Sequence, residues 1–457
     1  MDSIKLNVTD IFEYDVLVVG GGTTGCCAAI AAAQNGAKTA LVEYYGFLGG
    51  NATCGLPWLG FHNASQDLII KGIPLEIVER CRNTGGGTKF HFDPICKSAV
   101  GVNGTVLKAV LAEYTKEKNI DCYFHSLAIG VNKQGDNVDG VYISNKQGCQ
   151  LIKAKVIIDC TDSGDVAVLA GAKYHFGREV DNKPQISSYI MTLTGIDFDE
   201  MISYFEEHPD QMRPFDYGNE VMLELIGRMK TSGIFVLGAF PDIIAKAKAD
   251  GVNYDRDRLI GVAFPEWGEL MLVASRVEGV NPNDVANFSN AELNGLVQYK
   301  GIMELIKGYI PGGKNARLSS SGHQIGIRET RHVEGDYCLT AEDLLSGKMF
   351  EDSVALGNYH LDIHSPDHSG LESKQPPTYS IPYRALMVKG LNNMLMAGRC
   401  ISATHEAMSS TRVIPISAAQ GQAVGTAAAI AVKSGKSIRS IDLEVLKDTL
   451  SKDNAVY

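Results

Sequence analysis

Residues 14–43 constrain the fold of this chain more than any other segment. Residues 14–20 read YDVLVVG, a short apolar, β-branched run of the kind that forms a strand buried on both faces. It runs straight into Gly20-Gly21-Gly22-Thr23-Thr24-Gly25, a G-x-G-x-x-G turn. A strongly helix-forming stretch follows at residues 28–34, with Gly36 placed to end it, then a second strand at 38–42 closed by Glu43. A lone glycine motif is weak evidence. Strand, glycine turn, helix, strand and terminal acid together are the βαβ unit that binds dinucleotides. Gly20, Gly22 and Gly25 permit the tight turn and the close approach of backbone to a pyrophosphate. Thr23 and Thr24 lie at a helix start whose N–H groups and partial positive charge favour an anion. Glu43 is placed to accept hydrogen bonds from a ribose. A ligand-free glycine turn would require none of these flanking features.

A second glycine loop follows the acid: Gly49-Gly50-Asn51-Ala52-Thr53. It suits a cofactor that continues past its pyrophosphate, and so FAD rather than NAD. The stretch resembles the G-G-x-x-T loop of the FAD-binding fold shared by glutathione-reductase-like flavoproteins. That resemblance implies that Gly49, Gly50, Asn51 and Thr53 lie along the pyrophosphate and ribityl chain. Dithiol chemistry at Cys54 would need a second thiol a few residues on, and the next cysteine is Cys81. No second G-x-G-x-x-G follows a strand, so a separate NAD(P)H domain is not expected.

Composition narrows the class further. The 457 residues are 45% hydrophobic and 21% charged, which excludes a disordered chain. The 48 glycines exceed the roughly 7% that is usual. Lys+Arg 42 against Asp+Glu 53 gives a net charge of -11, which weighs against nucleic acid as a partner. No apolar leader is visible, and no run reaches the ~18 to 20 apolar residues of a membrane span. The ten cysteines form no C-x-x-C pair and suit a reduced, cytoplasmic chain. A homo-oligomer stays open.

The expected architecture is α/β: a Rossmann-like FAD-binding domain with an inserted mixed α+β substrate domain. The FAD-binding domain occupies residues 1–171, with an excursion at 55–95, and returns at 390–457. The substrate or cap domain fills 172–389. The pattern predicts a helix at 105–119, a hairpin at 127–131 and 138–144, short strands at 150–153 and 156–160, and helices at 220–230 and 291–309. Near the end, a strand at 392–397 precedes Gly398 and Arg399. Pro415 then opens a helix over 416–433, in which Gly421, Gly425 and Ala429 form a smooth stripe. Interior glycine costs about 1 kcal/mol each, so the stripe predicts close packing, with the Ala-rich helix after Gly25 as the partner.

Three groups of residues carry a specific resemblance. They are A-G-R-x-I-S-A-T-H-E-A with the following R-V-x-P and G-Q-A-x-G-T-A-A-A, G-I-R-E-T-R at 326–331, and N-Y-H-L-D-I-H at 358–364. In order along nearly the whole chain, they resemble the FAD-dependent oxidoreductase family of bacterial flavoproteins. The resemblance implies that Gly398 and Arg399 meet the cofactor and that residues 413–417, Pro415 and Ile416 included, face the flavin ring. It also implies a backbone contact from Ile129 to the adenine and a role for Asp162, in T-D-S-G-D, beside the cofactor.

A flavin performs the redox chemistry, while the protein positions the substrate and moves a proton. His364, Arg328, His405 and Arg412 are the candidate catalytic groups, with Asp362 as an orienting partner for His364 and Arg331 beside Arg328. Histidine suits proton transfer, and arginine suits a carboxylate or developing oxyanion. His360, His364 and His368 recur every four residues. Ser365, Pro366 and Gly370 make that segment loop-like, so no metal face is expected. The expected activity is dehydrogenation or reduction of a small polar organic substrate, with an unidentified electron donor or acceptor. The competing readings are an RNA-modifying or RNA-binding flavoprotein and a redox-sensing module with structural FAD.

Overall fold

The computed structural model describes residues 7–93, 96–212, 219–367 and 371–457. Its first layer is a parallel sheet built around Val8–Val19, which runs between Thr39–Val42 and Gly148–Asp159; Val18 faces Leu41 on one side and Ile158 on the other. Asp121–Tyr123 extends the sheet beyond Thr39–Val42, also in parallel. Val16, Leu17 and Val18 are fully buried, as an apolar run without alternation requires.

The strand Gly148–Asp159 changes partner along its length. Its first half pairs antiparallel with Asn137–Asn145, which pairs in turn with Leu127–Gln134. Its last residues pair in parallel with Met394–Met396. The sequence suggests two short strands here; they form one, because no glycine or proline separates Lys153 from Val156.

The returning helix Ile414–Ser434 lies against Thr23–Gln34. A Cβ at Gly421 would sit 2.2 Å from the Thr24 carbonyl oxygen, and one at Gly425 would sit 2.1 Å from that of Ala28. The two backbones therefore touch, which is the reason for the glycine stripe. Pro415 lies in the first turn.

A second, antiparallel sheet has the order Phe235–Ala239, Leu259–Phe264, Glu269–Leu272, Met191–Thr194, Arg317–Ser321. Side chains alternate across it. Phe235, Leu237, Leu259, Ala263, Leu270 and Leu272 join the core with residues of helices Phe198–Glu207, Pro241–Ala249 and Tyr299–Tyr309. Val236, Ile260, Val262 and Met271 point to the opposite face. The helix expected over 291–309 is two, Val285–Val297 and Tyr299–Tyr309, meeting at Gln298. The Gln298 side chain holds residue 276: it accepts from Arg276 N and donates to Arg276 O, each at 2.8 Å.

The second core draws on less than the whole of 172–389. Leu339, Val354, Leu361, Tyr379 and Ile381 belong to the first core; the strand of Val354 packs on the returning helix and that of Leu361 on the short helix His405–Thr411 before it. Within 55–95, Trp58–Leu59 and His91–Asp93 flank Lys97–Val100 in a small sheet separate from the parallel one.

Candidate functional site

Between the parallel sheet and the open face of the antiparallel sheet lies a cavity of about 360 Å³. That is within the range of small-molecule sites. Two helices start on its wall, Thr23–Gln34 after Gly22 and Ile414–Ser434 after Val413, and neither has a side-chain cap. Their first N–H groups are thus directed at the cavity end of each helix, where they favour negative charge.

The glycines of the first turn divide into two kinds. Gly20 has φ +101°, and a Cβ there would lie 2.2 Å from the Cys160 oxygen; a Cβ at Gly25 would lie 1.8 Å from the Gly20 oxygen. Both hold the turn together from within and do not line the cavity. Gly22 does line it, and a Cβ there would meet nothing within 4 Å. The glycine turn is closed by its second loop: Gly49 N donates to Gly21 O at 2.8 Å, and Thr23 Oγ1 donates to Gly49 O at 3.2 Å. Thr53 Oγ1 donates to Gly50 O at 2.7 Å and also contacts His323 Nε2 at 3.0 Å.

Glu43 is buried, and its carboxylate accepts from Gly21 N at 2.6 Å and Tyr45 N at 2.7 Å. Burial pushes its pKa up against the pull of these N–H donors. Thr23, Thr24, Gly49, Gly50, Asn51, Asp162, Gly398 and Arg399 line the cavity. Arg399 Nη2 donates to Asp162 Oδ2 at 2.6 Å, and its Nε is buried without a partner among the described residues. Gly398 N donates to Gln420 Oε1 at 3.0 Å. Val413, Ile414 and Ser417 line the cavity, whereas Pro415 and Ile416 are buried behind it. Ile129 is half-buried on the outer hairpin, away from the cavity wall.

The candidate catalytic residues are brought together in part. Leu361–His364 is a strand paired with Leu371–Lys374, not a loop, and the two-residue period puts His360, Asp362 and His364 on the cavity wall. Asp362 bridges its neighbours: Arg412 Nη2 donates to Oδ2 at 2.8 Å, and His364 Nε2 lies 3.2 Å from Oδ1. The hydrogen bond from His364 and the Arg412 charge hold Asp362 well below the usual carboxylate range despite its burial. Burial, with the Arg328 charge next in weight, pushes His364 down to about 3 although Asp362 opposes the shift. His364 is therefore neutral at physiological pH, and with Nε2–H directed at Asp362 its Nδ1 carries the lone pair. His360 donates or accepts at Ser373 Oγ, 2.7 Å away. His368 lies outside the described residues.

Arg328 lines the cavity, with Nη1 donating to Ile186 O at 2.8 Å and Ser188 Oγ at 2.9 Å. Burial, then the charges of Arg412 and Arg256, push it down to about 9. Arg331 instead turns to Asp165 at 3.0 Å. His405 does not line the cavity. Its Nδ1 is 2.8 Å from Glu329 Oε1, which also takes His332 Nε2 at 2.9 Å. Burial opposes ionisation of Glu329, but hydrogen bonds from the two histidines hold it down at about 2. Arg256, Ser188 and the apolar sheet residues are cavity residues that sequence reasoning missed. Arg256 lies in D-R-D-R, which reads as an exposed charged turn.

Two uncapped helix starts, an open glycine and interlocking glycine loops at the edge of a parallel sheet define a Rossmann-like nucleotide-binding protein. The particular class follows from comparison: the chain belongs to the FAD dependent oxidoreductase family, whose model matches residues 15–450. FAD is its cofactor, and it is an oxidoreductase. The open glycine, the helix starts and the orphaned Arg399 Nε fit that group. Aerobic glycerol-3-phosphate dehydrogenase of Staphylococcus epidermidis is 48% identical over 52 residues, 11% of this chain and 9% of that protein. Thiamine thiazole synthase of Methanococcus vannielii is 29% identical over 185 residues, 37% of this chain and 65% of that protein. The chain thus spans less than two thirds of either relative. Among solved structures, a geranylgeranyl bacteriochlorophyll reductase-like protein from Thermoplasma acidophilum matches 98% of this chain and 85% of its own, at 14% identity and TM-score 0.49. No single helix among the described residues is long and apolar enough to cross a membrane.

Proposed function

We propose that this enzyme dehydrogenates a small organic substrate, or reduces it in the reverse direction, in the space between the flavin-side helix starts and the antiparallel sheet. The observation that carries the proposal is the Asp362 carboxylate, which ties His364 and Arg412 together on the cavity wall within reach of Arg328. FAD, when bound, would supply the hydride-transfer chemistry at the substrate carbon. Gly22, Gly49, Gly50, Asn51 and the two helix starts would hold its phosphates and ribityl chain, Glu43 its ribose, and Asp162, Gly398 and Arg399 would meet it at the end of the first sheet. Arg328 and Arg412 orient the substrate and stabilise oxygen charge. His364, fixed by Asp362, takes the proton of the substrate hydroxyl or amine at Nδ1. His405 takes no part in that transfer; it anchors Glu329 beneath the site. We read the architecture as the glutathione-reductase type with the antiparallel-sheet unit inserted. The ten free cysteines suit a cytoplasmic location.

The test begins with the visible spectrum of the purified protein before and after heat release of flavin, followed by anaerobic bleaching with candidate substrates. Arg328→Met and His364→Asn are expected to retain FAD and lose turnover. Unchanged turnover in both would refute the site assignment.

A further inference from the structure

A charge imbalance in the cavity bears on the substrate class, and the inference drawn from it rests on the reading of the site given above. Arg256 and Arg328 converge on one hydroxyl. Arg256 Nη2 donates to Ser188 Oγ at 2.8 Å and Arg328 Nη1 donates to the same atom at 2.9 Å. Both guanidinium groups are thereby held a few ångströms apart, and all three residues line the cavity. Arg256 is 2% exposed. Neither arginine has a carboxylate within 4 Å among the described residues; their protein acceptors are Ile186 O, Ala274 O, Ser275 O and the shared Ser188 Oγ. Buried cations are ordinarily paired, because desolvation is costly. The nearest acid on this wall, Asp362, is already committed to Arg412 and His364.

The hydrogen-bond inventory points the same way. Ser188 Oγ accepts twice, so its own hydrogen is left to donate, and no acceptor for it exists among the described residues. Arg328 uses only Nη1, so among the described residues its Nε and Nη2 have no protein partner. The cluster therefore presents donors and no acceptors. The ligand that satisfies such a set is acceptor-only and planar enough for a guanidinium fork. Val236, Ile260, Val262 and Met271 of the sheet wall face the same space, so the rest of the ligand meets apolar surface.

We propose that the substrate is a carboxylic acid whose carboxylate is received by Arg328, Arg256 and the Ser188 hydroxyl, with its apolar body on the antiparallel sheet. A guanidinium fork receives carboxylate and phosphate alike; carboxylate is favoured because the side chains of Val236, Ile260, Val262 and Met271 offer no donors to the further oxygens of a phosphate. Binding also supplies the countercharge that the fold omits.

The holoprotein is titrated with benzoate, benzamide, hexanoate, hexanamide and inorganic phosphate, read by calorimetry and by the flavin visible spectrum. A charge-assisted hydrogen bond contributes about 1.5–3 kcal/mol, so at least one acid is expected to bind roughly tenfold or more tightly than its amide. Arg328→Met is expected to remove that preference with flavin content unchanged, Arg328→Lys to restore part of it, and Ser188→Ala to weaken it less. Acid and amide binding equally, neither acid binding, or phosphate binding in place of both acids would overturn the proposal. So would an undiminished preference in soluble, flavin-loaded Arg328→Met. A neutral compound that bleaches the flavin while acids fail to bind would sink the carboxylate alone and leave the oxidoreductase reading intact. Protein that takes up no flavin would sink that reading, and calorimetry would still report on the arginine cradle.

Discussion

The two walls of the cavity are built on opposite principles. On the side of the glycine turn the wall is mostly backbone: Gly22, Gly49, Gly50 and two helix starts present main chain to the cavity, with Gly20 and Gly25 holding the turn behind them. On the opposite side, side chains reach into the cavity from distant segments: Arg256, Arg328, Asp362, His364 and Arg412. A backbone site leaves a local imprint, because the chain conformation itself must be permitted. A side-chain site leaves none, because any segment can deliver an arginine. The contrast can be broken or sharpened experimentally.

The largest effect is expected at Gly25. A Cβ 1.8 Å from a carbonyl oxygen cannot be accommodated without opening the turn, so Gly25→Ala is expected to cost about 4 kcal/mol or more of stability, read by chemical denaturation. Gly22→Ala is the counterpart. Its φ is -61° and a Cβ would touch nothing, so the protein should fold normally. FAD binding should weaken by roughly tenfold or more, about 1.4 kcal/mol, as measured by flavin release. Equal stability loss in both variants would show that the open space at Gly22 has no cofactor role.

On the other wall, His364→Asn is expected to lower kcat by roughly a hundredfold, at the low end for a proton-transfer group, with FAD retained. The pH profile sharpens this. In the free enzyme burial and Arg328 hold His364 at about 3, so kcat/KM should not show an acid limb near the usual 6.5. A bound carboxylate offsets the Arg328 charge, so the acid limb of kcat should lie at higher pH than that of kcat/KM. Coincident limbs would argue against the two groups sensing each other. The same depressed value affects folding. Between pH 6.5 and about 3 the unfolded chain binds a proton that the folded chain does not, so His364 makes stability fall as pH falls through that window. His364→Asn should flatten that part of a Tm-against-pH curve. The smallest effect is expected at Ile129, half-buried on the outer hairpin: Ile129→Ala should leave FAD affinity unchanged.

Much of this molecule was legible in its sequence. The glycine turn, the central strands, the hairpin after Leu127 and the packing of Gly421 and Gly425 against the first helix all follow from local pattern. Arg328, Arg412, His364 and Asp362 were legible as candidates, through motif resemblance rather than spacing. Arg256 was not. Its neighbours Asp255, Asp257 and Arg258 are those of a solvated turn, and only the antiparallel sheet carries it inside. His405 was misleading for the converse reason: its motif lies beside the flavin helix, but Glu329, 76 positions away in the chain, holds its ring. The segment 360–368 hid a strand because Ser365 and Pro366 mask the alternation of Leu361 and Ile363.

The sequence by itself determined the βαβ unit, its open glycine and the return of the last helix, because turn geometry and backbone contact demand particular residues at particular positions. The tertiary structure alone decided which charges face the cavity and which are spent elsewhere. Burial and pairing depend on what long-range packing brings within a few ångströms. That is why Arg331 meets Asp165, while Arg328, three residues earlier, pairs with no acid among the described residues.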